Sequence, residues 1–219
     1  MSGYRYLCDL QRECIDATKI FDYVLTSQKQ CFENVRFTFT GDIPDGFAAF
    51  PVSSCEIDLD SSCDEISDPN NRPIVLVELP DGTDVELEVV TFQKTINLTV
   101  VGEFLDTTGA PITTGTATAT VVFCPEEVLL CAPTGTIVDC LITDTSSCAV
   151  ETITPEASSG MGIGNVTVLA CQSIQSYAPV KLEILAKICD PRSIIPVPTV
   201  CEVNPFPQQC PSVFPGAQC

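Results

Sequence analysis

The chain has no histidine and no tryptophan among its 219 residues, and only ten lysines and arginines against 29 aspartates and glutamates. Without histidine, a serine or cysteine nucleophile would have to find its base among a few lysines, so nucleophilic catalysis loses its usual partner. Mixed cysteine–histidine zinc sites are excluded as well, and no Cys-x-x-Cys pair occurs to begin a thiolate zinc site or an iron–sulfur cluster. A formal net charge of −19 makes nucleic acid and anionic membranes poor partners. No apolar run reaches membrane-spanning length, and no basic stretch followed by an apolar one opens the chain, so neither a membrane span nor a secretory signal is expected. Ser159-Gly-Met-Gly-Ile-Gly164 lacks the lysine and the strand-to-helix setting of a phosphate loop and reads as a turn. Paired carboxylates on a scaffold without tryptophan make a weak glycosidase case. The expectation is a protein that is not an enzyme and needs no cofactor.

What the chain does have is cysteine, 14 of them, on a sequence that is 45% hydrophobic. A chain of this length can bury a core of its own, so the disulfides are not needed merely to fold. The surplus points to durability or to cross-links between chains. Cysteine richness without a signal predicts synthesis in a reducing compartment and oxidation later, on exposure to an oxidising exterior. Like-charged subunits repel, so an oligomer of this chain needs apolar docking, bound cations or covalent links.

Residues 33–190 read as an all-β, antiparallel β-sandwich, jelly-roll-like in plan, because about ten short strand patterns follow one another with no helical period between them. The strand patterns fall at 35–40, 73–79, 84–92, 95–105, 116–124, 128–131, 136–143, 149–153, 164–173 and 179–188. Asp81-Gly82, Thr108-Gly-Ala-Pro111 and Pro133-Thr-Gly135 mark turns. Residues 17–25 fit a short helix and a strand equally well. Asn97-Leu-Thr and Asn165-Val-Thr match the glycosylation pattern but fall inside strand patterns.

Two cysteine-bearing arms flank this body. Residues 1–32 form an N-terminal arm or connector with Cys8 and Cys14. Residues 191–219 form a proline- and cysteine-rich tail in which Cys201, Cys210 and Cys219 recur at even spacing, the last closing the sequence. Proline at that density favours an extended chain that gains roughly 3 Å per residue. These five cysteines are the candidates for inter-subunit disulfides. Connectivity is open at this level, since the tail either reaches another chain or folds back on its own sandwich.

Between Cys55 and Asn71 lies an acidic stretch in which Asp58, Asp60 and Asp64 are candidate calcium ligands, although the glycine and spacing of an EF-hand loop are missing. A solvated loop bridged by Cys55 and Cys63 is the expected form, with no metal.

The arm with Cys8 and Cys14, the β body and the cysteine-punctuated tail together resemble the subunits of endospore appendage fibres and the cysteine-rich exosporium or coat proteins of endospore-forming bacteria. In the appendage family a jelly-roll subunit extends an N-terminal connector whose cysteines bond to neighbouring subunits, giving fibres that resist heat, detergent and protease. The resemblance implies that Cys8 and Cys14 are connector thiols with acceptors among the cysteines of the body. This chain differs in lacking adjacent cysteines near its start and in adding a C-terminal tail. The expected function is a structural subunit of a disulfide-cross-linked extracellular fibre or spore-surface layer, its partners being copies of itself and other spore-surface proteins. The alternative is a monomeric secreted adhesin or carbohydrate-binding module with internal disulfides and a calcium loop.

Overall fold

The computed structural model describes residues 11–156 and 160–186. All regular structure among the described residues is β: β1 (Gln11–Thr40), β2 (Phe50–Ile57), β3 (Ser62–Glu65), β4 (Ile74–Glu78), β5 (Asp84–Leu105), β6 (Pro111–Val122), β7 (Glu126–Leu130), β8 (Ile137–Ile142), β9 (Ser147–Val150), β10 (Thr152–Pro155) and β11 (Met161–Ala186). The described residues fall into two units, one over Ile20–Ala178 and a smaller one holding 11–19 and 179–186. The larger unit begins where β1 is already an alternating strand.

In the larger unit, two long strands, β5 and β11, each carry other strands along both edges, in antiparallel pairing. β5 pairs on one side with β2, β3 and β4 in succession, and on the other with β6 and β7. β11 pairs with β8, β9 and β10, and with β1. The two layers meet at both margins. At one, Thr152 and Ile153 of β10 pair with Pro51 and Phe50 of β2; at the other, Thr38–Thr40 of β1 pair with Thr116–Thr118 of β6. The result is a sandwich closed along two seams.

Period-two patterning explains the layers. On β5, Val90, Phe92, Lys94, Ile96, Leu98 and Val100 all point inward and are fully buried. Facing them on β11 are Val166, Val168, Ala170, Gln172, Ile174 and Ser176. Two hydrophobic clusters result, one around Phe37, Phe39, Phe50, Phe104 and Leu98, the other around Val90, Phe92, Leu130 and Ile174. In the first cluster the Phe104 ring fills the space above Gly115, where a Cβ would lie 2.2 Å from Phe104 Cε2. Asn34 adopts a left-handed φ of 56°, and its amide donates to Asn165 Oδ1 at 3.1 Å, just before β1 joins β6. Asparagine tolerates that region better than most residues.

Several expectations are corrected. The patterns at 84–92 and 95–105 are one strand, since Gln93 and Lys94 keep the alternation instead of breaking it. Those at 164–173 and 179–188 likewise merge in β11. Residues 17–25 are strand throughout. The glycine-rich stretch supplies a turn only at Gly160; Gly162 and Gly164 lie in β11, where the Phe39 and Phe37 rings come close to their backbone.

In the smaller unit, residues 11–19 and 179–186 are strand. Arg12 pairs with Glu183 at 3.1 Å and Asp16 with Lys181, so the two segments run in opposite directions. The Asp16 carboxylate, by hydrogen bond and by charge, raises the Lys181 pKa above its ordinary value.

Candidate functional site

The cysteines of the sandwich divide by position. Cys55 on β2 is bonded to Cys148 on β9, and Cys63 on β3 to Cys140 on β8, with Cα–Cα distances of 5.6 and 5.4 Å. The expected Cys55–Cys63 loop is thus not formed. Both residues lie on strands along the same edge of β5, and each turns to the facing edge strand of the other layer. Along this seam the order is hydrogen-bonded ladder, disulfide, disulfide, and then a buried ion pair. Arg72 spans Glu65 (Nε–Oε1 2.8 Å, Nη2–Oε2 3.0 Å) and donates to the Ala132 carbonyl at 2.8 Å and to Thr136 Oγ1 at 3.2 Å. A bidentate pair in so enclosed a place fixes the β3–β4 connection to the chain entering β8.

The opposite seam has no disulfide among the described residues. Beyond Thr38 the β1–β6 ladder stops and side chains replace it. Gln30 Oε1 accepts the Cys124 amide at 3.1 Å, Asp22 Oδ2 accepts the Cys131 amide at 2.9 Å, and the Phe32 and Phe123 rings meet edge to face at 5.2 Å. Here Cys31 and Cys124 are exposed and outside any disulfide among the described residues; Cys31 Sγ lies within hydrogen-bond distance of the Thr167 hydroxyl, at 3.4 Å.

Of the five candidate connector cysteines, Cys14 is described: it is exposed on the same strand face as Arg12 and Asp16. Cys8, Cys201, Cys210 and Cys219 lie outside the described residues. Cys31 and Cys124 are the exposed thiols that the sequence did not single out. The signal for Cys31 was present in its alternation with Phe32, which points inward.

Asp58, Asp60 and Asp64 do not converge. Asp58 Oδ2 accepts from Thr99 Oγ1 at 3.0 Å, Asp64 Oδ2 accepts from Ser62 Oγ at 2.7 Å, and Asp58 and Asp60 line an open polar cleft with Arg36, Thr118 and Thr120. No group of three or more acidic or thiol side chains among the described residues is placed to hold a metal ion.

β4 is an exposed edge that carries apolar side chains. It pairs with β5 alone among the described strands, and Ile74 and Leu76 are 64% and 63% exposed. An unpaired edge bearing apolar side chains is a template for another chain.

Cross-layer disulfides set in a folded core belong to an oxidising environment. None of the described residues forms a helix able to cross a membrane. Compared with family models, curated proteins and solved structures, the chain matches none of them.

Proposed function

We propose that this protein is a structural subunit that assembles with copies of itself into a disulfide-cross-linked extracellular fibre or surface layer, of the kind that covers endospores. The observation that carries the reading is the division of cysteine. Two pairs are spent inside the sandwich, while Cys31 and Cys124 stand exposed on its described surface and Cys14 stands exposed in the smaller unit. The sequence holds further cysteines at Cys8, Cys201, Cys210 and Cys219.

Assembly proceeds in two stages. Apolar edges such as β4 dock first, overcoming the repulsion of strongly acidic subunits. Thiols brought together then form a disulfide, losing two electrons and two protons to an external oxidant such as molecular oxygen. Covalent linkage removes dilution as a route to disassembly.

The test is a boiled detergent gel of natively oxidised protein, with and without reductant, beside a negative-stain image. High-mass material that collapses to a 23.5 kDa band on reduction, with filaments or sheets in the image, is the expected result. Serine at Cys14, Cys31 or Cys124, or at Cys8 or Cys219, should thin the ladder without unfolding the sandwich. A monomer band in both lanes overturns the reading in favour of a monomeric binding module, with the cleft of Arg36, Asp58 and Asp60 as its first place to look.

A further inference from the structure

Two polar side chains interrupt the inward apolar rows at the same level. Lys94 sits between Phe92 and Ile96 on β5, and Gln172 between Ala170 and Ile174 on β11, so the pair divides the two hydrophobic clusters. Lys94 is fully buried and Gln172 is 1% exposed. Glu126, the first residue of β7, reaches both. Its Oε2 lies 2.5 Å from Lys94 Nζ and takes a hydrogen bond from Gln172 Nε2 at 2.6 Å. Gln172 Nε2 also donates to Thr26 Oγ1 at 2.7 Å, while Gln172 Oε1 has no hydrogen-bond partner. The Phe123 ring lies 5.5 Å from Lys94 Nζ.

As a device for stability alone, this arrangement is poor. A buried ion pair barely recovers its desolvation cost, and a buried carboxamide oxygen left without a donor is a further loss. As a reaction centre it is complete. The amine of Lys94 and the carboxamide of Gln172 are held together in the buried interior, and the carboxylic acid that touches both, Glu126, is 21% exposed, so the reacting pair is shielded from water while the proton carrier reaches the surface. We propose that Lys94 and Gln172 become joined, after folding, by an intramolecular amide bond, with Glu126 as the proton carrier.

The step balances without any co-reactant. Lys94 gives a proton to Glu126, and the neutral amine adds to Cδ of Gln172. Glu126 returns that proton to the carboxamide nitrogen, the Cδ–Nε2 bond breaks, and ammonia leaves. The second proton shed by Nζ goes back to Glu126. An ammonium and a primary amide have become a secondary amide and ammonia, with the extra proton resting on Glu126 and no change of oxidation state. The bond ties the central strands of the two layers through the middle of the sandwich, where the disulfides tie only one edge, and unlike them it survives reductant.

The test is the intact mass of the full-length protein after reduction, alkylation and denaturation, followed by peptide mapping. The expected mass is below that calculated for the fully alkylated chain by one ammonia, with a linked peptide containing Lys94 and Gln172. That linked peptide separates the bond from an asparagine succinimide, which loses the same mass. Lys94→Arg and Glu126→Gln should both return the chain to its full calculated mass. The wild-type protein decides the matter alone, so a variant that fails to fold does no harm. A wild-type chain at full mass overturns the proposal and leaves a non-covalent polar node; loss of one water, with Lys94 linked to Glu126, overturns Gln172 as the acceptor.

Discussion

The two seams of the sandwich close the same pair of layers by different means. Where β2 and β3 face β9 and β8, two disulfides and the Arg72–Glu65 pair fix the margin. Where β1 faces β6 and β7, the work falls to the short Thr38–Thr40 ladder, Gln30, Asp22 and one aromatic contact, and the exposed cysteines there, Cys31 and Cys124, face outward. A chain with cysteine to spare has locked one margin and left thiols on the other. The difference teaches that position on the strand decides whether a cysteine meets a partner across the layers, as Cys55 and Cys63 do and the exposed Cys31 and Cys124 do not.

The largest effect should come from unpicking the locked seam. Replacing Cys55, Cys63, Cys140 and Cys148 by alanine removes links that close 93 and 77 residues of chain. Each native disulfide of this kind contributes about 2–5 kcal/mol, chiefly by restricting the unfolded chain. Thermal or urea unfolding should therefore show a loss of several kcal/mol, whereas serine at Cys31 and Cys124 should stay within about 0.5 kcal/mol, as exposed substitutions do. Equal losses in the two sets would erase the distinction between structural and surface thiols.

A smaller effect is expected from loosening the other seam. Asp22→Ala and Gln30→Ala each strip the acceptor from a backbone amide flanking β7, at Cys131 and Cys124 respectively. Each should cost about 1 kcal/mol, the net value of one such hydrogen bond, and should speed hydrogen exchange at that amide while leaving the β8–β9 margin protected. If β8 and β9 loosen as well, the seams are one cooperative unit and the comparison fails.

How much of this was legible depended on range. The two halves of Asp84–Leu105 and the second part of Pro111–Val122 announce themselves, because a period of two is local and residues like Val85, Leu87 and Val89 carry it, although their continuity and exact ends do not. β2 and β3 were hidden under their own charge. Glu56 and Asp64 face solvent while Cys55 and Cys63 turn to the facing layer, so a reading that weighed the acidic run as a whole saw a loop. The disulfide partners were not legible at all, since each bond joins edges distant in sequence. The same holds for Lys94, Glu126 and Gln172, ordinary residues on three separate strands that become a site only when the layers close. Pro179 marked a false break in β11; it lies past Tyr177, where pairing with β8 ends, so its missing donor costs that ladder nothing.

The smallest effect tests a place at neither seam, the turn between β5 and β6, and so supplies a reference for both. The Thr108 hydroxyl donates to Asp106 Oδ1 at 2.6 Å, and the amides of Ala110 and Thr108 donate to the same oxygen at 2.9 and 2.8 Å. Led by the Thr108 hydroxyl, these donors hold the Asp106 carboxyl below the ordinary aspartate value. A carboxyl whose pKa is lower in the folded chain than in the unfolded one stabilises the fold above the unfolded value, and that contribution fades as pH falls through the lowered one. Asp81 behaves in the same way in the β4–β5 turn, where the Thr83 amide is the leading donor. Both groups are fully exposed, so the change should be slight, and it should be identical in oxidised and reduced protein because no disulfide touches either turn. Carboxyl carbon chemical shifts followed against pH should place the Asp106 midpoint below that of a free aspartate, and Asp106→Asn should remove that part of the acid response. A midpoint at the ordinary value would mean that the turn does not keep its hydrogen bonds in solution. A midpoint that moves on reduction would mean that the locked seam reaches the far end of β5, and the two margins could no longer be treated as separate.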